Sequence, residues 1–294
     1  MPIARDRLQY LFGLQGRGIG LYSREDEQRD GYVVETLDLL IDGRHVRGFL
    51  TRPSAPGKYP AILYGHSHGG RYDIGAAELL EGRDYLLDPL GPVFARAGYV
   101  TLCIDMPVFG KRATMSESAY AKALLWRDKA LICEMLGDHQ AALTWLIARD
   151  DVDHTRVGAF GMSMGCTLSY WLAAVDERIT AVAHLCCFAD LRTMIETGAH
   201  DRHGIYLVVP GLLDEADAGA IGALIAPRPQ LVCIGEEDEL TPIPAFEMAW
   251  HEMAQSYARE DTLYLVREPG VGHEETPTMR KATLAFFEKY LKGT

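Results

Sequence analysis

The stretch Gly161-Met162-Ser163-Met164-Gly165 constrains the fold more than any other part of the chain, because it stands between a strand-like and a helix-like segment. Before it, Arg156-Val157-Gly158-Ala159-Phe160 is short, apolar and bounded by the polar run 150–155, as a buried parallel strand would be. After it, the apolar run 166–174 reads as a buried helix. A chain that passes from strand to helix within a few residues holds the central side chain in strained backbone geometry, and flanking glycines let other backbone approach closely. Ser163 is thereby expected to present its hydroxyl at a helix N-terminus. Such a turn can also exist without chemistry, so the serine's partners decide its meaning.

The remaining chain alternates in the same way. Residues 1–30 hold Gly13, Gly16, Gly18 and Gly20, but a dinucleotide loop would need its third glycine at Leu21 and a strand before it, so a helix followed by a loop is expected. Residues 32–41 and 45–51, joined by Asp42-Gly43, predict a β-hairpin. Further strands are expected at 60–64, 99–104, 156–160, 179–185, 230–234 and 263–266. Helices are expected at 92–97, 117–148, 166–174, 244–257 and 277–291, with a break in the long one at Gly137-Asp138. The segment 190–227 is long for a plain connection and carries many apolar residues, which predicts a partial lid over a pocket. Strands alternating with helices after an opening hairpin imply an α/β fold. Its sheet would be mostly parallel, eight-stranded and doubly wound, with an antiparallel N-terminal hairpin and a small helical lid, in a single domain over residues 1–294.

Composition narrows the function. With 41 acidic against 29 basic residues the formal net charge is -12, which repels a nucleic-acid backbone or an anionic membrane. The six cysteines sit mostly in apolar runs without the spacing of a disulfide framework or a zinc site, so reduced core residues are expected. Charged residues near the start and the lack of a long apolar span predict a cytoplasmic protein; a homo-oligomer is compatible with this.

Reactive groups in such a sheet gather at the carboxyl ends of the strands. Ser163 follows the fifth expected strand, Asp238 the seventh and His273 the eighth. A serine hydroxyl needs a base to remove its proton, and a histidine serves best when a carboxylate holds its other nitrogen. The third strand runs into Gly65-His66-Ser67-His68-Gly69-Gly70, a loop able to keep backbone N–H groups free for an oxyanion. Metal ligation by His66 and His68 is disfavoured by the absence of neighbouring cysteines and the scarcity of carboxylates.

On these residues the chain resembles an α/β-hydrolase, in particular the dienelactone hydrolase and acetyl xylan esterase-like branch. The resemblance runs from about Pro53 to Leu291 through the loop at 65–70, residues 105–112, the turn at 161–165, Ala226-Pro227-Arg228-Pro229, residues 235–242 and Gly272-His273. It implies Ser163 as nucleophile, His273 as base and Asp238 as orienting acid, with oxyanion donors from the Met164 backbone and the loop at His66 or Ser67. His68, Arg71, Asp105, Arg112 and His203 are candidates for contacts to a polar substrate, although Asp105 fits the shaping of the loop beside the pocket better than a part in catalysis, and a solvated surface role is the plainer reading of Arg71, Arg112 and His203. Two departures stand out. Dienelactone hydrolases proper use a cysteine where this chain has Ser163, which favours an ordinary carboxylester, and Cys166 stands where a second glycine is common.

The reading is therefore a serine hydrolase, a carboxylesterase for small or acetylated esters working through an acyl-enzyme without cofactor or metal. A peptidase of the prolyl oligopeptidase type shares such a core, but the chain has no room for a propeller. A non-catalytic binding module would not need the full Ser, Asp, His set.

Overall fold

The computed structural model describes residues 3–258 and 260–293. Nine strands form one sheet: β1 (Ile19–Arg29), β2 (Tyr32–Ile41), β3 (Arg44–Pro53), β4 (Tyr59–Gly65), β5 (Val100–Ile104), β6 (Val152–Met162), β7 (Ala181–Leu185), β8 (Gln230–Gly235) and β9 (Leu263–Glu268). Their order is β1-β2-β3-β5-β4-β6-β7-β8-β9. The first three strands and the β3/β5 pair are antiparallel, and every pair from β5 to β9 is parallel. The inner strands β5, β7 and β8 are buried along their whole length, which is why they read as continuous apolar runs.

The sequence led to eight strands; the ninth is β1, in the stretch expected to be loop. Its residues Arg24, Glu25, Asp26, Glu27 and Arg29 are exposed and give no apolar alternation. Charge along an open edge discourages pairing with another chain, and it also hides the strand from a hydrophobic pattern. The N-terminal helix Arg5–Leu11 is present as expected, and Phe12 after it stacks on Trp171 with ring centroids 4.8 Å apart.

The break expected at Gly137-Asp138 is absent. The chain turns at residues 126–130 instead, with Asp128 at φ 57°, between helices Glu117–Leu125 and Leu131–Ile147. Gly137 and Asp138 lie inside the second helix and seat arginines against it. A Cβ at Gly137 would lie 2.6 Å from Arg17 Nε, while the fully buried Asp138 carboxylate pairs with Arg17 and, at 2.7 Å, with Arg112.

The segment 190–227 folds as helices Leu191–Thr197, Leu212–Glu215 and Ala218–Ala223 with 3₁₀ turns Ala199–Arg202 and Ile205–Leu207 between them. Among the described residues no helix is long and apolar enough to cross a membrane, and all six cysteines are free.

Candidate active site

Ser163 stands between β6 and the helix Met164–Val175 with φ 59° and ψ -123°, a backbone conformation that L-residues avoid. Three glycines make this turn feasible. A Cβ on Gly161 would strike the Gly165 carbonyl, and one on Gly165 would strike the carbonyl of Gly65 at the end of β4, so the helix start is pressed onto two strand ends. The Ser163 N–H donates to Leu185 O at 3.0 Å, which fixes the turn to the end of β7.

Asp238 follows β8 and is buried. Its Oδ1 accepts from Leu240 N at 2.9 Å and its Oδ2 lies 2.8 Å from His273 Nδ1, which donates to it. His273, in the loop after β9, is thereby held in the tautomer whose Nε2 is free to accept a proton. Ser163 and His273 line the same cavity of about 230 Å³, together with His68, Gly69, Gly70, Tyr85, Arg202, His203, Gly204, Tyr206 and Leu240. A hydroxyl and an imidazole in one cavity, with a buried carboxylate behind the imidazole, can carry out nucleophilic acyl transfer.

The loop after β4 is anchored by two carboxylates that sequence reasoning did not single out. The buried Glu78 accepts the Ser67 N–H at 3.0 Å, the Tyr64 hydroxyl at 2.8 Å and an ion pair from Arg83 at 3.1 Å; burial raises its pKa despite these partners. Glu117 accepts from His68 Nε2 at 2.7 Å, from the Tyr72 hydroxyl at 2.7 Å and from the Tyr206 N–H at 2.9 Å. Burial is the largest influence on Glu117 and opposes ionisation, but these donors outweigh it and its pKa is lowered. His68 Nδ1 accepts the Gly70 N–H at 3.1 Å, and its ring stacks on Tyr206. No general sequence signal marks either glutamate; each is found only when the loop it supports has been folded.

Several expected site residues have other tasks. The Ser67 amide, expected as an oxyanion donor, is committed to Glu78. His66 is fully buried, donates from Nδ1 to Ser67 O at 2.9 Å and accepts Met106 N–H on Nε2 at 3.2 Å; burial pushes its pKa down to about 4. It is absent from the cavity lining, where the loop is represented by His68, Gly69 and Gly70. Met164 supplies the first amide of its helix, a position with no intrahelical acceptor. Arg71 is an exposed partner of Asp73 at 2.8 Å, outside the cavity. Asp105 is fully buried, pairing with Arg47 at 2.9 Å and accepting the Ala76 and Lys111 amides at 2.7 and 2.8 Å, so it shapes the neighbouring loops. Arg112 is held by Asp138 and by Asp105 O at 3.0 Å. Of the five candidate substrate contacts, His68 and His203 reach the cavity; His203 donates from Nε2 to Leu240 O at 2.8 Å. Cys166, the unusual residue after the turn, places its sulfur 3.3 Å from His184 Nδ1 in the core.

The parallel sheet and the strained serine between β6 and its helix define an α/β-hydrolase. The Dienelactone hydrolase family model matches residues 46–197. YtaP of Bacillus subtilis (strain 168), described as a hydrolase, is 37% identical over 296 residues, covering 97% of this chain and 99% of that protein. The esterase FrsA of Enterobacter sp. (strain 638) is 33% identical over 144 residues, 49% of this chain but 29% of that protein. The acetyl xylan esterase from Paenibacillus sp. R4 shares the fold with a TM-score of 0.70 at 19% identity, over 98% of this chain and 93% of that one. Methylesterase BT1017 gives a TM-score of 0.72 at 23% identity over 98% of this chain, which spans 62% of that larger structure. The chain belongs to the dienelactone hydrolase family and is a hydrolytic enzyme.

Proposed function

We propose that the protein hydrolyses a carboxylic ester with a small acyl group, such as acetate, through an acyl-enzyme on Ser163. The observation that carries the reading is the meeting, in one cavity, of a serine at φ 59° and a histidine whose Nδ1 is bonded to a buried carboxylate. His273 Nε2 takes the Ser163 proton as the hydroxyl attacks the ester carbonyl, and the imidazolium is stabilised by Asp238. The tetrahedral oxyanion is received by the Met164 amide and by the loop amides of His68 or Gly69, which donate to no protein acceptor among the described residues. His273 then protonates the leaving alcohol, and a water activated by the same nitrogen releases the acid. A cavity of about 230 Å³ lies at the small end for ligand sites and suits a short acyl chain.

The acetyl xylan and methyl esters in the names of the structural relatives belong to those proteins; for this chain they support the choice of an ester over an amide. The test is covalent labelling by a fluorophosphonate together with hydrolysis of p-nitrophenyl acetate. Wild type should label and turn over, and Ser163→Ala should do neither. Labelling that persists in Ser163→Ala would remove the serine from its role.

A further inference from the structure

Behind the imidazole and carboxylate lies a third group with no part in ester hydrolysis. Cys186, the first residue after β7, is buried and holds φ 52°, with its N–H bonded to Cys233 O at 3.0 Å. Its sulfur, a nitrogen of His273 and an oxygen of Asp238 all lie within 4.8 Å of one another. This is a thiol, an imidazole and a carboxylate contributed by the segments that follow three adjacent strands, β7, β8 and β9.

We infer that Cys186, Asp238 and His273 form an inhibitory binding site for a soft divalent cation of the zinc and cadmium type. Sulfur, nitrogen and oxygen donors are the set these ions take, with bonds of about 2.0–2.3 Å, and tetrahedral donors then stand roughly 3.3–3.8 Å apart. The present separations, 2.8 Å for His273 Nδ1 to Asp238 Oδ2 and at most 4.8 Å within the set, bracket that spacing, so side-chain adjustments of about 1 Å suffice. His273 lines the substrate cavity and offers the route of entry.

The proton count explains the inhibition. On binding, Cys186 loses its thiol proton to solvent and coordinates as thiolate. The cation takes the Nδ1 lone pair, so the proton that Nδ1 had donated to Asp238 moves to Nε2. That is the nitrogen which must accept the Ser163 proton, and it is now filled. Asp238 is at the same time drawn from the imidazole to the metal. The hydroxyl therefore loses its base while the substrate cavity remains in place.

The experiment is a Cd²⁺ titration of the purified protein with two readouts, the sulfur-to-cadmium charge-transfer absorbance and the rate on p-nitrophenyl acetate. The absorbance does not depend on which substrate the enzyme uses, so it tests the site even if the ester reading fails. Expected are an absorbance rise that saturates at one equivalent, a parallel loss of rate and full recovery with EDTA. Cys186→Ser should weaken both effects by about tenfold or more, as loss of a ligand exceeds the 10–100-fold cost typical of outer-sphere partners. Cys186→Ala serves if the serine variant is poorly folded, and Cys133→Ser, at a half-buried thiol outside the cluster, should titrate as wild type does. A Cys186 variant inhibited at the same Cd²⁺ concentration as wild type, or one that keeps the absorbance rise, would overturn the assignment. So would a wild type that shows neither effect.

Discussion

Glu117 Oε2 receives the Nε2–H of His68 at 2.7 Å while its Oε1 receives the Tyr206 amide at 2.9 Å, so one carboxylate fastens the glycine loop to the segment whose residues 202–204 and 206 line the cavity. The same Oε2 also takes the Tyr72 hydroxyl. Replacing Glu117 by Gln keeps the shape but turns one acceptor oxygen into a donor facing donors. Hydrogen bonds to charged groups contribute about 1.5–3 kcal/mol, so kcat should fall roughly ten- to a hundredfold if the loop amides are displaced from the developing oxyanion. KM for a small ester should change far less, because the loop amides matter most in the transition state. Steady-state kinetics on p-nitrophenyl acetate beside a melting curve check this; an unaltered kcat with a lowered Tm would leave Glu117 a purely structural role.

The acidic turn 236–239 contains four carboxylates, of which Asp238 is the one buried against His273. Asp238→Asn should preserve the packing yet hold His273 in the wrong tautomer, costing on the order of ten-thousand-fold in kcat, and Ser163→Ala about a million-fold. Glu237 and Glu239 are exposed, and their Gln variants should stay near wild type. Greater damage from Glu237→Gln than from Asp238→Asn would reassign the acid.

Three histidines are sealed in the core without charge. Burial lowers the pKa of His66 to about 4 and of His139 and His184 to about 3, against 6.5 in an open chain. Above pH 6.5 both folded and unfolded states carry them neutral and their contribution to stability is complete. As pH falls below 6.5 toward 4 and 3, the unfolded chain takes up protons that the folded one refuses, so stability is lost through that window. Neither ring nitrogen of His139 finds a partner among the described residues. His139→Leu removes both the orphaned nitrogens and the titration, so it should be at least as stable as wild type at pH 7.5. At pH 5 it should gain about 2 kcal/mol more, from 1.36 kcal/mol per unit over roughly 1.5 units. Chemical denaturation at the two pH values reads the difference; equal gains at both would show that His139 does not titrate between the states.

The parts of this molecule that were legible in the sequence are those where one residue type has one physical use. Glycines at 161 and 165 around a serine, between an apolar strand and an apolar helix, could only mark a tight turn, and the Asp-Gly pair at 42–43 could only close a hairpin. Residues that serve through a partner distant in sequence were not legible. Gly137-Asp138 looked like a helix break because nothing local announces Arg17, which lies against them from 121 positions before Asp138. Asp105 and Arg112 were candidates for substrate contacts, but each is neutralised by an ion pair, with Arg47 and Asp138 respectively. The glycine- and histidine-rich loop was recognised, yet which of its amides stays free depends on Glu78, eleven residues past Ser67 and anchored by Arg83.

The segment 190–227 bounds a second, largely apolar cavity of about 410 Å³ whose wall shares His203 and Gly204 with the cavity at Ser163. Leu207, Leu212 and Leu213 all line it, but Leu207 and Leu213 are half-buried, whereas Leu212 is also fully packed into the main core. The three leucines should therefore part company on truncation. Leu212→Ala should cost about 2–5 kcal/mol of stability, as a core cavity does, and this loss sets it apart from the other two. Leu207→Ala and Leu213→Ala remove apolar wall from a space next to the acyl site. A methylene contact in such a pocket is worth about 1–3 kcal/mol, so the ratio of kcat/KM for butyrate over acetate esters should shift by tenfold or more in these two. The measurement is that ratio and the melting temperature for each variant. If the ratio stays fixed in Leu207→Ala and Leu213→Ala, the wall at His203 closes the two cavities from each other, and acyl length is set by His68, Tyr85 and Tyr206 around Ser163 alone.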